Sequence, residues 1–172
     1  MSIVNKVRKA EILMGIKEKS MITNNWLQAR GNIKENILLE RLAKNVRGIK
    51  QSVDERKVEQ LKKYTSQFKI NLIVISLTRD LIFSNEDYSS LKNKTIQSSL
   101  KTNATQATNM FLAMISSLSN ALAKNYLDLG HYIEDTMVAV MIVEVTMGID
   151  PDETLIKGFA PIEKEMRGGS GA

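Results

Sequence analysis

One cluster in this sequence has the residue types of an acid-base or metal site. Asp128, His131, Glu134 and Asp135 are spaced so that three of them can share one helical face. There is no cysteine and His131 is the only histidine, which excludes thiolate chemistry and polyhistidine metal binding. The sequence has neither a second cluster to complete a site nor a GxxxxGK or GxGxxG phosphate loop. We interpret the cluster as a solvated helix start, where carboxylates favour the helix dipole, and predict no enzyme activity, metal or cofactor.

Charge divides the chain into two unlike parts. Residues 1–69 hold 16 Lys and Arg against 7 Asp and Glu, a net of +9, whereas residues 70–172 hold 8 against 12, a net of −4. A basic segment joined to an acidic, apolar body is typical of a polyanion-binding arm attached to an assembly domain. The charge distribution therefore predicts a basic helical arm at 1–69 that wraps nucleic acid and a helical-bundle assembly domain at 70–172.

Basic residues of the predicted arm fall on one side of its helices. At about 100° per residue, Arg30, Lys34, Arg41 and Lys44 lie within about 80° of one another. The adjoining sector is apolar and contains Leu38, Leu39, Leu42, Val46 and Ile49. The residues predicted to contact phosphates are Lys6, Lys17, Arg30, Lys34, Arg41 and Lys44, followed by Lys9, Arg47 and Lys50. The same pattern also occurs in helices that bind acidic lipid surfaces and in helices whose charged face is only solvated.

Aromatic residues indicate which nucleic acid the arm would bind. Single strands are usually held by bases stacked on aromatic rings, yet residues 1–69 contain only Trp26, Tyr64 and Phe68, widely scattered. The sequence also lacks zinc-finger spacing and a convincing helix-turn-helix among the basic helices. Contact with duplex phosphates, without base readout, fits this composition better, and Trp26 is interpreted as an apolar anchor.

Helical signals dominate the chain, which has only two prolines. Asn24 or Asn25 can cap a helix that runs to about Gly48. Ser52 and Glu55 have the spacing of a capping box that opens a helix towards Ile82. Glycines at positions 15, 31 and 48 are interpreted as bends or helix ends, because glycine costs about 1 kcal/mol in a helix interior.

Further helices are predicted in the second part. Ser84 with Asp87 indicates one start, and Gly130 is a candidate stop for the apolar helix before it. A helix then runs to Gly148, and Asp150, Pro151 and Glu153 have the cap chemistry of a last helix that reaches Arg167. Two β-branched runs, at 70–77 and 137–145, could form strands, but their helical flanks favour helix. The residues predicted to hold the bundle are Phe111, Leu118, Leu122, Met141 and Ile142.

Two segments of the sequence are candidates for membrane targeting or insertion, and neither has the required pattern. Met1 is not followed by a secretory signal pattern. The uncharged run at 102–123 is as long as a membrane span, but about half of its residues are polar, which favours a soluble helix.

The second part also resembles a known protein family. An apolar helix at 111–123, a break at Gly130, an apolar helix at 138–143, the segment Gly148-Ile-Asp-Pro-Asp-Glu-Thr-Leu-Ile-Lys-Gly-Phe and a Gly-Ser tail follow in order. This order resembles the major coat proteins of rod-shaped and filamentous archaeal viruses, the rudiviruses and lipothrixviruses. The resemblance covers residues 111–172 as an order of helices, and 1–69 only as a basic helical arm.

The resemblance implies a function for the chain. In that family a helical arm wraps double-stranded DNA held in A-form, and dimers of one coat protein, or of two paralogous ones, stack into a helical virion. We therefore expect an all-α protein, a basic N-terminal helical arm followed by a C-terminal helical bundle, that packages double-stranded DNA in a virion assembled in the host cytoplasm. Its partners would be DNA and itself or a paralogous coat protein; a membrane envelope is compatible but not indicated. The alternatives are a small helical nucleic-acid-binding subunit of a larger effector or regulatory complex, such as an RNA-guided defence assembly, and a helical adaptor that binds only protein.

Overall fold

The computed structural model describes residues 34–79, 81 and 85–169, and these residues fold as helices without any strand, as predicted. The helices are α1 (Glu35–Asp54), α2 (Val58–Thr78), α3 (Asn85–Ser99), α4 (Ala104–Lys124), α5 (Leu129–Thr146) and α6 (Pro151–Gly169). The residues of five further predictions lie outside the described part of the chain: Gly15, Asn24, Asn25, Trp26 and Gly31.

Helices α2 and α5 form the centre of the bundle. Helix α2 packs against α1, α5 and α6, and α5 packs against α2, α3, α4 and α6. Neighbouring helices on several sides require apolar side chains on several sides of α2 and α5, which explains the mainly apolar runs at 70–77 and 137–145. The prediction that both runs are helical is confirmed.

One hydrophobic core joins the described helices. Phe68 of α2 and Phe111 of α4 meet edge to face with ring centroids 5.1 Å apart. The five predicted bundle residues are all buried, and so are Leu38, Leu42 and Ile49 of the predicted apolar sector of α1. The predicted domain boundary between Lys69 and Ile70 lies inside α2, and the core takes residues from both sides of it.

The predicted capping box at Ser52 and Glu55 is wrong. Helix α1 continues to Asp54, and the buried Ser52 hydroxyl donates to the Gly48 carbonyl oxygen one turn back, at 2.7 Å. A serine inside a helix can satisfy its hydroxyl in this way, so its presence does not require a helix start. The chain reverses instead at Arg56, which has a left-handed φ of 54°, and α2 ends at Thr78 before the predicted Ile82.

Gly130 is not a helix stop. Helix α4 ends at Lys124, where Asn125 takes the left-handed conformation with φ of 51°, and Gly130 is the second residue of α5. Asparagine is the residue that most often replaces glycine in this capping conformation. The predicted end of α5 at Gly148 is confirmed, since this glycine has φ of 76°.

Gly48 marks a close approach of helices instead of a bend or an end. It lies inside α1, where an added Cβ would stand 2.5 Å from the Tyr64 ring on α2. Gly158 of α6 has the same function: a Cβ there would lie 2.8 Å from the Ser66 carbonyl oxygen and 2.6 Å from Ile70. The two glycines therefore allow α1 and α6 to pack tightly against α2.

The start of α6 follows its sequence signals closely. Pro151 is its first residue, and Asp150 Oδ1 accepts a hydrogen bond from the Asp152 backbone N–H at 3.0 Å. A carboxylate oxygen of Glu153 lies 3.6 Å from Lys62 Nζ on α2. Helix α3 begins at Asn85, directly after the predicted start at Ser84, which lies outside the described residues.

Candidate nucleic-acid interface

Two of the predicted phosphate contacts, Arg41 and Lys44, lie in a groove. Helices α1, α2 and α6 enclose this groove, which has a volume of about 500 Å³. Its lining residues are Leu38, Arg41, Lys44, Asn45, Lys63, Ser66, Gln67, Ile70, Asn71, Val74, Lys157, Gly158 and Pro161. We call it the basic groove, because four of these residues are cations and none is an acid.

Helix packing explains why the four cations converge. Leu38 and Leu42 face the core, which turns Arg41 and Lys44 to the exposed flank of α1. Lys63 lines the facing side on α2. Lys157 reaches the groove because Gly158, the next residue, allows α6 to lie directly against α2.

The cations of the basic groove have no carboxylate partner among the described residues. Elsewhere in these residues, ion pairs join Lys50 to Asp54 at 2.5 Å and Lys57 to Glu55 at 2.9 Å. Four like charges around a concave surface create a positive potential, which a bound polyanion would neutralise. The groove therefore has the electrostatic character of an anion-binding surface.

Apolar and amide side chains form the rest of the groove. Leu38, Ile70, Val74 and Pro161 provide apolar lining. Three amides are linked in a chain, in which Asn71 Nδ2 donates to Asn45 Oδ1 at 2.9 Å and Asn45 Nδ2 donates to Gln67 Oε1 at 3.0 Å. This chain connects α1 to α2 and fixes the spacing of the two helices that carry Arg41, Lys44 and Lys63.

The other predicted contacts lie elsewhere. Lys34 is exposed directly before α1, where its carbonyl oxygen accepts from Ile37 and Leu38. Arg47 and Lys50 line a second cleft, beside Leu112 of α4, whose wall includes the acids Asp54 and Glu55. Lys6, Lys9, Lys17 and Arg30 lie outside the described residues.

Lys63 and Lys157 were missed by the sequence analysis. Lys63 belongs to a charged segment that contains both signs, so no one-sided stripe distinguishes it. Lys157 lies in the acidic part of the chain, far in sequence from α1. Only the packing of α6 against α2 places it beside Arg41 and Lys44.

The acidic cluster around His131 lies at the start of α5. Within the residues that the structure describes, no group of three or more His, Cys, Asp or Glu side chains could hold a metal ion. Asp128 precedes α5, and its backbone oxygen accepts from the His131 N–H at 2.9 Å. His131 and Asp135 are exposed, in agreement with the interpretation as a solvated helix start.

None of the helices in the described part of the chain is long and apolar enough to cross a membrane. No protein-family model, curated protein or solved structure matches this chain.

Proposed function

We propose that this chain is a structural protein that binds double-stranded DNA through its phosphates and packages it in a helical filament, as a viral coat protein does. The observation that carries the proposal is the basic groove, in which Arg41, Lys44, Lys63 and Lys157 surround a concave surface that has no acid among its lining residues. The positive charge of residues 1–69 adds to it.

Phosphate binding fits the chemistry of these side chains. Duplex DNA carries one negative charge per roughly 1.7 Å of axis, and binding it releases condensed counterions. All four cations are exposed and have no carboxylate partner among the described residues, so binding a phosphate breaks no ion pair there. Contacts to phosphates position a protein on a duplex but carry no sequence information, so the same residues can bind at any place along a genome.

Salt dependence is the first test. If roughly 6 to 10 phosphates are neutralised per bound unit, affinity for duplex DNA falls by about 10³ to 10⁵ between about 50 and 200 mM salt. Fluorescence anisotropy with two duplexes of unrelated sequence measures the salt dependence of the affinity and any preference for one sequence. Affinity that is insensitive to salt, or a strong preference for one duplex, contradicts the proposal.

Substitution in the basic groove is the second test. The variant R41Q/K44Q/K63Q/K157Q should bind duplex DNA more weakly and with a shallower salt slope, while thermal unfolding stays nearly unchanged, because exposed charges contribute little to stability. The matched control is R56Q/K94Q/K101Q/K124Q, which removes four exposed cations outside the groove. Equal weakening of DNA binding by both sets of substitutions would show that binding depends on net charge alone and not on the basic groove.

Electron microscopy separates packaging from the alternatives. The purified chain mixed with long duplex DNA should form continuous filaments in which the DNA resists nuclease along its whole length. Discrete particles that protect a short fixed length would instead indicate a subunit of a larger nucleic-acid-binding complex. Absence of any DNA complex would favour a protein-binding adaptor.

A further inference from the structure

A lysine and a glutamate meet at the centre of the bundle. Lys69 of α2 and Glu144 of α5 are both completely buried, and Lys69 Nζ lies 2.6 Å from Glu144 Oε1. Burying two charges costs several kcal/mol per ion unless the surroundings compensate. Contacts around the pair must therefore offset this cost.

Thr154 connects the same two side chains. Its hydroxyl accepts a hydrogen bond from Lys69 Nζ at 2.6 Å and donates to Glu144 Oε2. Lys69 Nζ also donates to the Pro151 carbonyl oxygen at 2.8 Å. Glu144 Oε1 receives no aligned hydrogen bond, although Nζ lies beside it.

Burial acts on both ionisable groups in the direction of their neutral forms. Loss of hydration lowers the pKa of Lys69 and raises the pKa of Glu144, against the attraction between the two groups. A neutral amine has a free electron pair and a neutral carboxylic acid has an electrophilic carbon. These are the two reactants of amide formation.

We propose that Lys69 and Glu144 form an intramolecular amide crosslink in the folded protein. The Lys69 Nζ electron pair attacks Glu144 Cδ, the Nζ–Cδ bond forms and the Cδ–Oε2 bond breaks. Nitrogen loses two protons relative to the ammonium form, and both end on Oε2, which leaves as one water molecule. No oxidant, reductant or other reactant is needed.

The contacts of the network match the needs of this step. Groups that react readily are held about 3–3.5 Å apart. Nζ lies 2.6 Å from Oε1, and Oε1 is bonded to Cδ, so Nζ and Cδ are separated by at most this distance plus one C–O bond length. Thr154 lies between the proton donor and the leaving oxygen, so its hydroxyl can accept a proton from Nζ and pass its own to Oε2. Oε1 remains as the amide oxygen, which carries less charge than a carboxylate and so needs less hydrogen bonding.

Intact-mass spectrometry of the denatured full-length protein tests the proposal. The folded protein should be lighter than its sequence by the mass of one water molecule, and tandem spectra should join the peptide containing Lys69 to the peptide containing Glu144. Protein purified in urea from inclusion bodies, which has never folded, should have the full sequence mass and lose the water only after refolding, because only the folded chain brings the groups together.

Three variants assign the chemistry. K69M should keep its full mass, and E144Q should lose ammonia in place of water. T154V should form the crosslink more slowly after refolding, because the proton path through the hydroxyl is lost. The matched control is T108V, which removes another buried threonine hydroxyl, one that bonds to Ala104 within α4. A full sequence mass for the refolded wild-type protein, or loss of water mapped to other residues, would overturn the proposal.

Discussion

Arg79 illustrates how one side chain can join several helix ends. Its guanidinium donates to both carboxylate oxygens of Glu35 at 2.9 and 2.7 Å and to Asn125 Oδ1 at 2.8 Å. These bonds connect the end of α2 to the start of α1 and to the residue that terminates α4. Hydrogen bonds from Arg79 hold the pKa of Glu35 below its usual value.

The lowered pKa of Glu35 predicts a pH-dependent contribution to stability. The contribution is fully present above the pKa of Glu35 in the unfolded chain, about 4.3, and is lost as pH falls through the lower pKa of the folded state. The variant E35Q should therefore be less stable than the wild type at neutral pH by about 0.5–1 kcal/mol, and the difference should vanish in strong acid. Urea unfolding of both proteins at a series of pH values measures this difference in stability.

The control for this prediction is E40Q, which removes an exposed carboxylate from the same helix. It should change stability little at either pH. A difference between E35Q and the wild type that is equally large in acid would show that the paired charge is not the cause.

At the scale of helices, glycine decides how closely α6 approaches α2. A Cβ at Gly158 meets the Ser66 carbonyl oxygen, and backbone atoms cannot move aside as a flexible side chain can. The nearest contact of a Cβ at Gly130 is Leu81 Cδ2 at 4.0 Å, which leaves room for it.

These two glycines predict opposite effects of the same substitution. G158A should destabilise the protein by about 1–3 kcal/mol, although alanine is the better helix former, because overpacking outweighs propensity. G130A should leave stability unchanged or raise it by up to about 1 kcal/mol. Thermal or urea unfolding compares them, and a gain in stability for G158A would mean that α6 does not pack this closely on α2.

A cap fixes the start of α4. The Asn103 side chain accepts from the Gln106 N–H at 2.8 Å, and the Gln106 side chain accepts from the Asn103 N–H at 3.3 Å, forming a capping box. N103A should cost about 1 kcal/mol of stability in urea unfolding. N109A, an exposed position inside the same helix, should cost nothing, since alanine is the better helix former there. Equal costs would show that the cap does not stabilise α4.

On the scale of the whole molecule, the described residues of the predicted arm contribute to the core. Leu38, Ile49, Leu61 and Phe68 are buried, and Phe68 contacts Phe111 across the bundle. The charge pattern divided the chain at Lys69, whereas the hydrophobic core does not stop there. Nucleic-acid wrapping by residues 1–69 stays a prediction.

This packing predicts which fragment can fold. A fragment of residues 70–172 cuts α2 and removes those core side chains, so it should lose cooperative unfolding, whereas residues 34–172 should keep it. Far-ultraviolet circular dichroism during urea unfolding measures the cooperativity of unfolding of both fragments. A sharp, cooperative transition in the shorter fragment would support the division at Lys69 and contradict the shared core.

The sequence by itself determined the features that depend on neighbouring residues. Apolar periodicity located the buried face of α1, and Gly148, Asp150 and Pro151 located the end of α5 and the start of α6. Backbone preferences and cap hydrogen bonds act within a few residues, so a linear pattern contains them. Local signals failed at Ser52 and Gly130 because a hydroxyl can bond within its own helix and Asn125 already ends α4.

Only the tertiary structure decided which distant residues meet. Lys69 counts as one more positive charge of the basic part in the sequence, yet in the fold it is completely buried beside Glu144 and Thr154. Lys157 lies in the acidic part but reaches the basic groove beside Arg41 and Lys44. Both positions follow from the packing of α5 and α6 against α2, where contacts join residues far apart in sequence. Such contacts depend on how whole helix surfaces fit together, and no short segment of sequence contains that information.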